Sequence, residues 1–227
     1  MSLSDTAIAG QHTTVPLVRA AVPADHPAIR EVVIAAYRQY ADLIPPDIFS
    51  AYLAGLLDLD THARHGRLLV VEADQWICAF GAFYPDASVK GIGMSAGWAS
   101  GRALAVHPAA RGNGAARTLM AAGERLAREA GAPVLAFHTV SFMTGAIALY
   151  ERLGYHRAPE FDLDWSAHYG VSAAMPVMAF AFLRDLTGTR ADADGARPAD
   201  HVAASRCASP RALPCHPDSV AKPRRIR

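Results

Sequence analysis

The chain has 227 residues, which is enough for one well-packed domain with extensions or for two small domains. Its 52% hydrophobic and 19% charged residues are typical of a globular protein, and its net charge of +1 argues against a protein that binds nucleic acid or a membrane surface. The 3 cysteines stand in no close pair, which favours a reducing cytoplasm over a disulfide framework. We find no secretory signal and no membrane span of roughly 20 apolar residues. The sequence therefore predicts a cytoplasmic protein.

Hydrophobic periodicity and turn residues predict alternating strands and helices along the chain. Asp25 is expected to be the N-cap of the first helix, and residues 84–100 are expected to form a loop rich in Gly and Ser. The expected strands cover residues 15–21, 68–72, 76–83, 103–106, 133–140, 155–161 and 175–186. The expected helices cover residues 26–40, 47–57, 115–130 and 144–153.

The two ends of the chain differ in composition from the middle. Residues 1–16 are polar and small and predict a flexible N-terminus. Residues 187–227 contain no Phe, Trp or Tyr, so they bury too little apolar area to offset the entropy of ordering and are expected to be disordered. The cysteines and histidines of this tail match no zinc-binding spacing, so no metal site is predicted.

The most informative stretch runs from Arg102 to Gly131. A short strand ends at His107-Pro108, and the turn Arg111-Gly112-Asn113-Gly114 leads into an amphipathic helix. A glycine-rich turn before a helix suits a phosphate, because its N–H groups are unpaired and the helix dipole favours negative charge. No lysine completes a P-loop, and Arg117 stands where a dinucleotide fingerprint needs its third glycine.

Two motifs in this half of the chain resemble those of one acetyltransferase family. Arg111, Gly114 and Ala116 fit the pattern Arg-x-x-Gly-x-Ala after a strand, which resembles the pyrophosphate loop of the GNAT acetyltransferase superfamily. The stretch LYERLGY, residues 149–155, resembles the second cofactor motif of that family. The two motifs are separated by one predicted helix, one strand and the start of another helix. Their order and spacing are more specific than either motif alone, and the resemblance covers residues 17–186.

The resemblance implies an α/β (α+β) fold with a twisted, mostly antiparallel sheet. Its central strand and the parallel neighbour splay apart, and helices cover both faces. The implied domain spans residues 17–186, between the flexible N-terminus and the tail. The implied cosubstrate is acetyl-CoA, with no metal. The residues expected to bind it are Leu104, Ala105, Val106, Arg111, Gly112, Asn113, Gly114, Ala115, Ala116 and Arg117.

The implied activity is transfer of an acetyl group from acetyl-CoA to a primary amine of a small molecule or peptide, by direct attack in a ternary complex. Tyr150 is expected to donate a proton to the departing sulfur. No Asp or Glu stands between Ser95 and Arg111, so the general base is not assigned, and His107 and His138 both stay open. The alternative is a non-catalytic module that binds or senses acyl-CoA. A homodimer is also left open.

The acceptor is expected between residues 40–47 and the loops over 84–100 and 161–172, because these rims vary most in such a fold. The rims combine aromatic and acidic residues, which would suit a cationic amine. The aromatic residues are Tyr40, Phe83, Tyr84, Trp98, Trp165 and Tyr169. The acidic residues are Asp42, Asp47, Asp162 and Asp164. Neither a nucleic acid nor a membrane is expected as a partner.

Overall fold

The computed structural model describes residues 16–90, 93–168 and 177–188. Of the expected N-terminal segment 1–16 and the expected tail 187–227, only residues 16, 187 and 188 belong to these ranges, so both predictions lie outside the described residues. Tyr169, expected at the acceptor rim, also lies outside them. Among the helices described, none has both the length and the apolar character that a membrane crossing requires.

The described residues form eight strands and seven α-helices. The strands are β1 (Leu17–Ala20), β2 (Arg67–Ala73), β3 (Trp76–Tyr84), β4 (Ala99–Val106), β5 (Val134–Val140), β6 (His156–Arg157), β7 (Leu163–Asp164) and β8 (Met178–Asp185). The helices are α1 (His26–Tyr37), α2 (Pro46–Leu56), α3 (Leu59–His65), α4 (Ala87–Lys90), α5 (Ala115–Glu129), α6 (Thr144–Arg152) and α7 (Trp165–His168).

All eight strands belong to one sheet in the order β1-β2-β3-β4-β5-β8-β6, with β7 also paired to β8. Every pair is antiparallel except β4 and β5. These two strands pair only at Ala99 with Leu135 and at Ser100 with Ala136, and beyond Ser100 they diverge. The mostly antiparallel sheet with a splayed central pair is confirmed.

Helices pack on both faces of this sheet and bury one hydrophobic cluster on each side. On one face, Ile29 and Val33 of α1 pack with Phe80 of β3. On the other face, Leu119 and Met120 of α5 pack in a second cluster. The apolar positions of α1 and α5 recur at helical spacing, so each helix presents one continuous apolar stripe to the sheet. The cleft between β4 and β5 therefore opens between two packed layers.

Several element boundaries differ from the sequence predictions. The central strand begins at Ala99 rather than at residue 103, and α4 lies within the expected loop over 84–100. Helix α3 was not predicted, because it is short and buries little besides Leu59 and His62. The strand expected over residues 155–161 is reduced to β6, since Pro159 lacks an N–H for the ladder and begins a 3-10 turn.

Asp25 stands directly before α1, as predicted, but its side chain makes no capping hydrogen bond. Its carboxylate accepts hydrogen bonds from the Arg19 guanidinium at 2.6 and 2.9 Å and from the Val22 amide at 2.8 Å. Arg19 also donates to Glu72 on β2 at 2.6 Å. The hydrogen bond from Arg19 holds the pKa of Asp25 below its usual range. The carboxylate therefore fastens the start of α1 to the first two strands instead of capping the helix.

Candidate active site

A cavity of about 590 Å³ fills the cleft between β4 and β5. One end, here called the loop end, is formed by residues 111–117, the glycine turn and the first residues of α5. A second part of the lining, here called the aromatic end, is formed by Tyr37, Tyr40, Tyr52 and Trp165. The divergent parts of β4 and β5 line the space between the two ends. One continuous cavity thus joins a glycine turn to an aromatic surface.

The loop end requires glycine for its backbone conformation. Gly112 has a φ of 84° and Gly114 has a φ of 89°, both in the left-handed region that side chains with a Cβ disfavour. A Cβ built on either residue would meet no atom within 4 Å. The path of the chain through this turn therefore requires a left-handed backbone at both glycines. The space beside them is open.

The first turn of α5 offers free backbone amides to that space. Asn113 Oδ1 accepts a hydrogen bond from the Ala115 amide at 3.0 Å. Among the residues the structure describes, no hydrogen-bond acceptor is found for the amides of Ala116 and Arg117. Unpaired amides at the positive end of a helix of 15 residues suit a phosphate group. The side chains of Arg117 and Arg152 add positive charge to the lining.

Arg111 is directed away from the glycine turn. Its guanidinium lies 3.3 Å from Gln39 Oε1 and 3.4 Å from the Ala36 carbonyl oxygen, both at the C-terminal end of the first helical segment. The residue still lines the cavity. Arg111 therefore connects the loop end to α1 in this structure and does not face the turn.

The backbone of Val106 faces the cleft. The His107 amide donates to the Cys78 carbonyl at 2.9 Å, and Val106 stands opposite Ala79 in the register. Because hydrogen-bonded and non-hydrogen-bonded pairs alternate in an antiparallel ladder, Val106 belongs to a non-hydrogen-bonded pair. Its N–H group points away from β3, toward the side on which β5 diverges.

Nine of the ten expected cofactor-binding residues line the cavity, and Ala105 does not. Ala105 is 2% exposed and packs in the cluster on the α1 face. Because the two kinds of pair alternate along the ladder, Ala105 forms a hydrogen-bonded pair with Phe80. The N–H and C=O groups of Ala105 are therefore used within the sheet. Neither its side chain nor its backbone is available to a ligand in the cleft.

Leu104 lies next to a bulge in the central strand. Ala103 has a φ of 55°, and the register between β3 and β4 shifts between Phe80 and Ala82. Such a bulge bends the strand and leaves one residue outside the regular ladder. The Leu104 carbonyl accepts a hydrogen bond from the Tyr37 hydroxyl at 3.2 Å. This contact fixes α1 against the strand at the middle of the cavity.

Tyr150 lines the cavity and is 6% exposed. Its ring packs against Phe137, with the centroids 4.3 Å apart. Burial raises the pKa of Tyr150 well above its ordinary value, and the nearby hydroxyls of Tyr37 and Tyr40 add to the rise. No hydrogen bond to its hydroxyl is found within the described ranges. The phenol is therefore held protonated, with no hydrogen-bond partner among the described residues.

The two candidate histidines differ in position. His107 is absent from the cavity lining; its ring packs on Trp76 at 5.1 Å, and its Nδ1 accepts from the Ala109 amide at 3.3 Å. His138 lines the cavity, and its Nε2 lies 2.8 Å from the Phe161 carbonyl oxygen. A carbonyl only accepts, so Nε2 carries the proton and Nδ1 carries a lone pair. Burial lowers the pKa of His138, which keeps the ring neutral at pH 7.

The aromatic end is built on a closed ring of five side chains from α1, α2, α7 and the segments that follow α1 and β5. Their centroids are separated by 5.4 to 6.4 Å from one neighbour to the next. In order around the ring they are Tyr37, Tyr40, Phe142, Trp165 and Tyr52. Of the aromatic residues expected at the acceptor rim, Tyr40, Phe83 and Trp165 line the cavity, and Tyr84 and Trp98 do not.

The acidic residues expected at the acceptor rim, Asp42, Asp47, Asp162 and Asp164, do not line the cavity. Within the described part of the chain, no Asp or Glu lines the cavity. Asp162 lies near His138, but its carboxylate accepts hydrogen bonds from Arg157 and from the Ala181 amide. Among the described residues, the cavity lining therefore offers no carboxylate to a cation.

Sequence reasoning missed Arg102, which lines the cavity beside His138. The strand was expected to begin at residue 103, so Arg102 was left outside it. The available signal was a single charged residue within ASGRALAV, a segment otherwise made of small and apolar residues. Tyr37 and Tyr52 were also placed on helices without a site role.

A scan against family models matches the Acetyltransferase (GNAT) family over residues 30–155, more than half of the chain. No curated protein matches the chain significantly. Among the residues described, no group of three or more His, Cys, Asp or Glu is placed to hold a metal ion.

Solved structures with this fold include three whose similarity is global. PaiA N-acetyltransferase from Thermoplasma acidophilum, in complex with coenzyme A, is 13% identical, with 76% of this chain and 99% of that chain covered and a TM-score of 0.58. The yncA protein from Salmonella typhimurium, solved with acetyl-CoA, is 20% identical, with 81% and 100% covered and a TM-score of 0.52. The ribosomal-protein-S18-alanine N-acetyltransferase from Escherichia coli is 14% identical, with 78% and 97% covered and a TM-score of 0.51. The chain belongs to the GNAT family of acetyltransferases, enzymes for which acetyl-CoA is the acetyl donor.

Proposed function

We propose that the protein is an N-acetyltransferase that moves an acetyl group from acetyl-CoA to a primary amine of a small molecule or peptide. The amine attacks the thioester directly while both substrates are bound. The observation that carries this proposal is the cavity that joins the glycine turn to the aromatic end past the free N–H of Val106. Holding two substrates together in one site can supply a large part of the rate enhancement.

At the loop end, the amides of Ala116 and Arg117 and the positive end of α5 would bind the pyrophosphate of acetyl-CoA. Leu104 and Val106 would meet the pantetheine arm as an added strand does, because Val106 belongs to a pair that leaves its backbone groups unused. Acetyl-CoA supplies the acetyl thioester that the amine attacks. The space beside Gly112 and Gly114 is open, with no atom within 4 Å of a Cβ built on either residue, which leaves room for a phosphate to approach the turn.

Deprotonation of the amine needs a base, because an amine with a pKa near 10 is almost wholly protonated at pH 7. Among the described residues that line the cavity, there is no carboxylate to serve. The Nδ1 atom of His138 carries a lone pair, and the lowered pKa keeps it unprotonated. We therefore assign His138 as the general base, with the Phe161 carbonyl fixing its tautomer.

The remaining steps use Val106 and Tyr150. The Val106 amide stabilises the carbonyl oxygen as it gains negative charge. The new bond joins the amine nitrogen to the acetyl carbon, and the bond from that carbon to sulfur breaks. The proton of the amine passes to His138, and the Tyr150 hydroxyl donates its proton to the sulfur. Because burial raises the pKa of Tyr150, the phenol carries this proton at neutral pH.

The test is incubation of the full chain with acetyl-CoA and a panel of primary amines and peptides, with products identified by mass spectrometry. We expect at least one amine to gain an acetyl group, with one free thiol released for each. The opposing result is thermal stabilisation by acetyl-CoA with no acetylated product from any amine, which would favour a non-catalytic acyl-CoA-binding module.

A further inference from the structure

Arg102 stands on the central strand and faces the acceptor side of the cavity. It is opposite Ala82 in the register, and directly opposed residues of an antiparallel pair share a face. Ala82 packs in the cluster on the α1 face, the same face that carries the tyrosines of the aromatic end. The guanidinium therefore lies on the side of α1 and α2, and away from the glycine turn.

Among the described residues, this arginine has no partner that neutralises its charge. Over the described residues, Arg102 forms no hydrogen bond and no ion pair, although it is only partly exposed. By contrast, Arg19, Arg157 and Arg184 each bind a carboxylate. A partly buried guanidinium with no carboxylate partner among the described residues can offer its donors to an anionic ligand.

The positive charge acts on the groups around it. Arg102 contributes to lowering the pKa of His138, and it works against the rise that burial imposes on the pKa of Tyr37 and Tyr84. All three side chains therefore lie within its field. Asp162 acts on His138 in the opposite sense, but its carboxylate is bound by Arg157 and by the Ala181 amide, and no carboxylate among the described residues lines the cavity.

We propose that Arg102 binds a carboxylate of the acceptor, so that the acceptor is a primary amine of the amino-acid type. This inference rests on the proposed function and names the substrate class of the same site. The planar guanidinium matches a carboxylate through two parallel hydrogen bonds, which also orients the amine. The aromatic end then receives the apolar side chain of the acceptor.

The same field disfavours acceptors that carry a second positive charge. A diamine or polyamine would bring an ammonium group next to Arg102 with no carboxylate to offset the repulsion. The field also helps the reaction, because a nearby positive charge lowers the pKa of the attacking amine. The carboxylate of an amino-acid acceptor offsets the repulsion between Arg102 and the amine. The amine can then bind beside His138 in its neutral form.

The experiment compares pairs of acceptors that differ by one carboxylate, such as phenylalanine with 2-phenylethylamine and leucine with 3-methylbutylamine. We measure kcat/KM for each in the wild type and in Arg102→Gln, with Arg125→Gln on the exposed face of α5 as the control. The intrinsic reactivity of each amine is the same with both enzymes. A change in the ratio of kcat/KM between the two members of a pair therefore measures the contribution of Arg102 to binding the carboxylate. We expect kcat/KM to fall about tenfold to a hundredfold further for the amino acids than for the plain amines in Arg102→Gln.

A second measurement needs no turnover. Titration of 3-phenylpropanoate into the protein saturated with coenzyme A should show binding to the wild type and to Arg125→Gln, and loss of about tenfold or more in affinity for Arg102→Gln. Equal effects of Arg102→Gln on both members of each pair, or equal affinity for the propanoate, would overturn the inference while leaving N-acetyl transfer intact. If no amine is acetylated, the proposed function fails, and the propanoate titration still decides the role of Arg102.

Discussion

The Tyr155 hydroxyl donates a hydrogen bond to the Glu124 carboxylate at 2.9 Å, and this bond joins the end of the second sequence motif to the helix that follows the first. Glu124 is only 8% exposed, and it also accepts from Arg184 at 3.1 Å. Arg184 in turn donates to the Leu153 carbonyl, next to Gly154. The two motifs that identify the family are thus held together by one buried polar network.

Tyr155→Phe removes this donor and leaves a buried carboxylate with fewer partners. We expect the free energy of unfolding to fall by about 1 to 2 kcal/mol, since hydrogen bonds to charged groups are worth more than neutral ones. Urea unfolding monitored by circular dichroism measures the change. Tyr150→Phe is the matched control, because no hydrogen bond to the Tyr150 hydroxyl is found among the described residues. Equal stability of the two variants would show that the network contributes nothing.

Tyr150→Phe should lower turnover while the affinity for acetyl-CoA stays nearly unchanged. The ring that packs on Phe137 is retained, and only the proton donor is lost. A thiol with a pKa of about 8.5 is already a fair leaving group, so we expect a loss near the low end of general acid catalysis, about a hundredfold in kcat. Steady-state kinetics with saturating acetyl-CoA measures it. An unchanged kcat would return Tyr150 to a purely structural role.

Gly114→Val should abolish binding of acetyl-CoA in a protein that still folds. The substitution puts a β-branched side chain into the open space beside the free amides, at a φ of 89°. Gly131→Val is the control, because Gly131 has a φ of 75° and equally open surroundings but lies at the far end of α5. Both variants should lose about 1 to 2 kcal/mol of stability from backbone strain. Calorimetric titration should then find binding in Gly131→Val only, and binding in both would refute the loop assignment.

His138→Gln should lower kcat by about a hundredfold or more and change its pH dependence. Glutamine still donates to the Phe161 carbonyl but accepts no proton at neutral pH. In the wild type, burial lowers the pKa of His138 below 6.5, so kcat should hold at pH 7 and fall only at more acidic pH. That acid limb should be lost in the variant. His107→Gln is the control and should keep both the wild-type kcat and its decrease at acidic pH. If His138→Gln has the same pH profile as the wild type, His138 is not the general base.

The lowered pKa of His138 also makes the free energy of unfolding depend on pH. Because the folded state favours neutral His138, the unfolded chain binds more protons as the pH falls below 6.5. This group therefore lowers the free energy of unfolding on the acid side, through the range between 6.5 and its folded pKa. In His138→Gln this contribution is absent, so the difference in stability between pH 7 and pH 5 should be smaller than in the wild type. Urea unfolding at the two pH values checks the sign.

The loop end of the cavity was predictable because its geometry is local in sequence. Gly112 and Gly114 need a left-handed backbone, and the amides of α5 follow directly, so neighbouring residues specify the site. Arg111 fits the same motif, but its side chain is directed to α1 by contacts with Ala36 and Gln39. A sequence motif therefore predicts the local backbone conformation, but it does not determine the direction of a long side chain.

The aromatic end was not predictable in the same way. Tyr37, Tyr52 and Trp165 come from separate helices and meet only because the sheet brings these helices to one face. Ala105 was predicted to bind the cofactor because it lies next to the motif, but it does not line the cavity. The alternation of the ladder turns its backbone groups toward β3. Arg102 was missed because the small residues before it carry little β-strand propensity. Each of these outcomes depends on tertiary packing or strand register.

The central claim is that one cavity holds the acetyl donor and the amine together for direct transfer. Initial rates measured with acetyl-CoA and the best amine both varied test this claim most directly. The account predicts double-reciprocal lines that intersect, because both substrates must be bound before any product leaves. Parallel lines, together with an acetylated protein detected by mass spectrometry after incubation with acetyl-CoA alone, would contradict it.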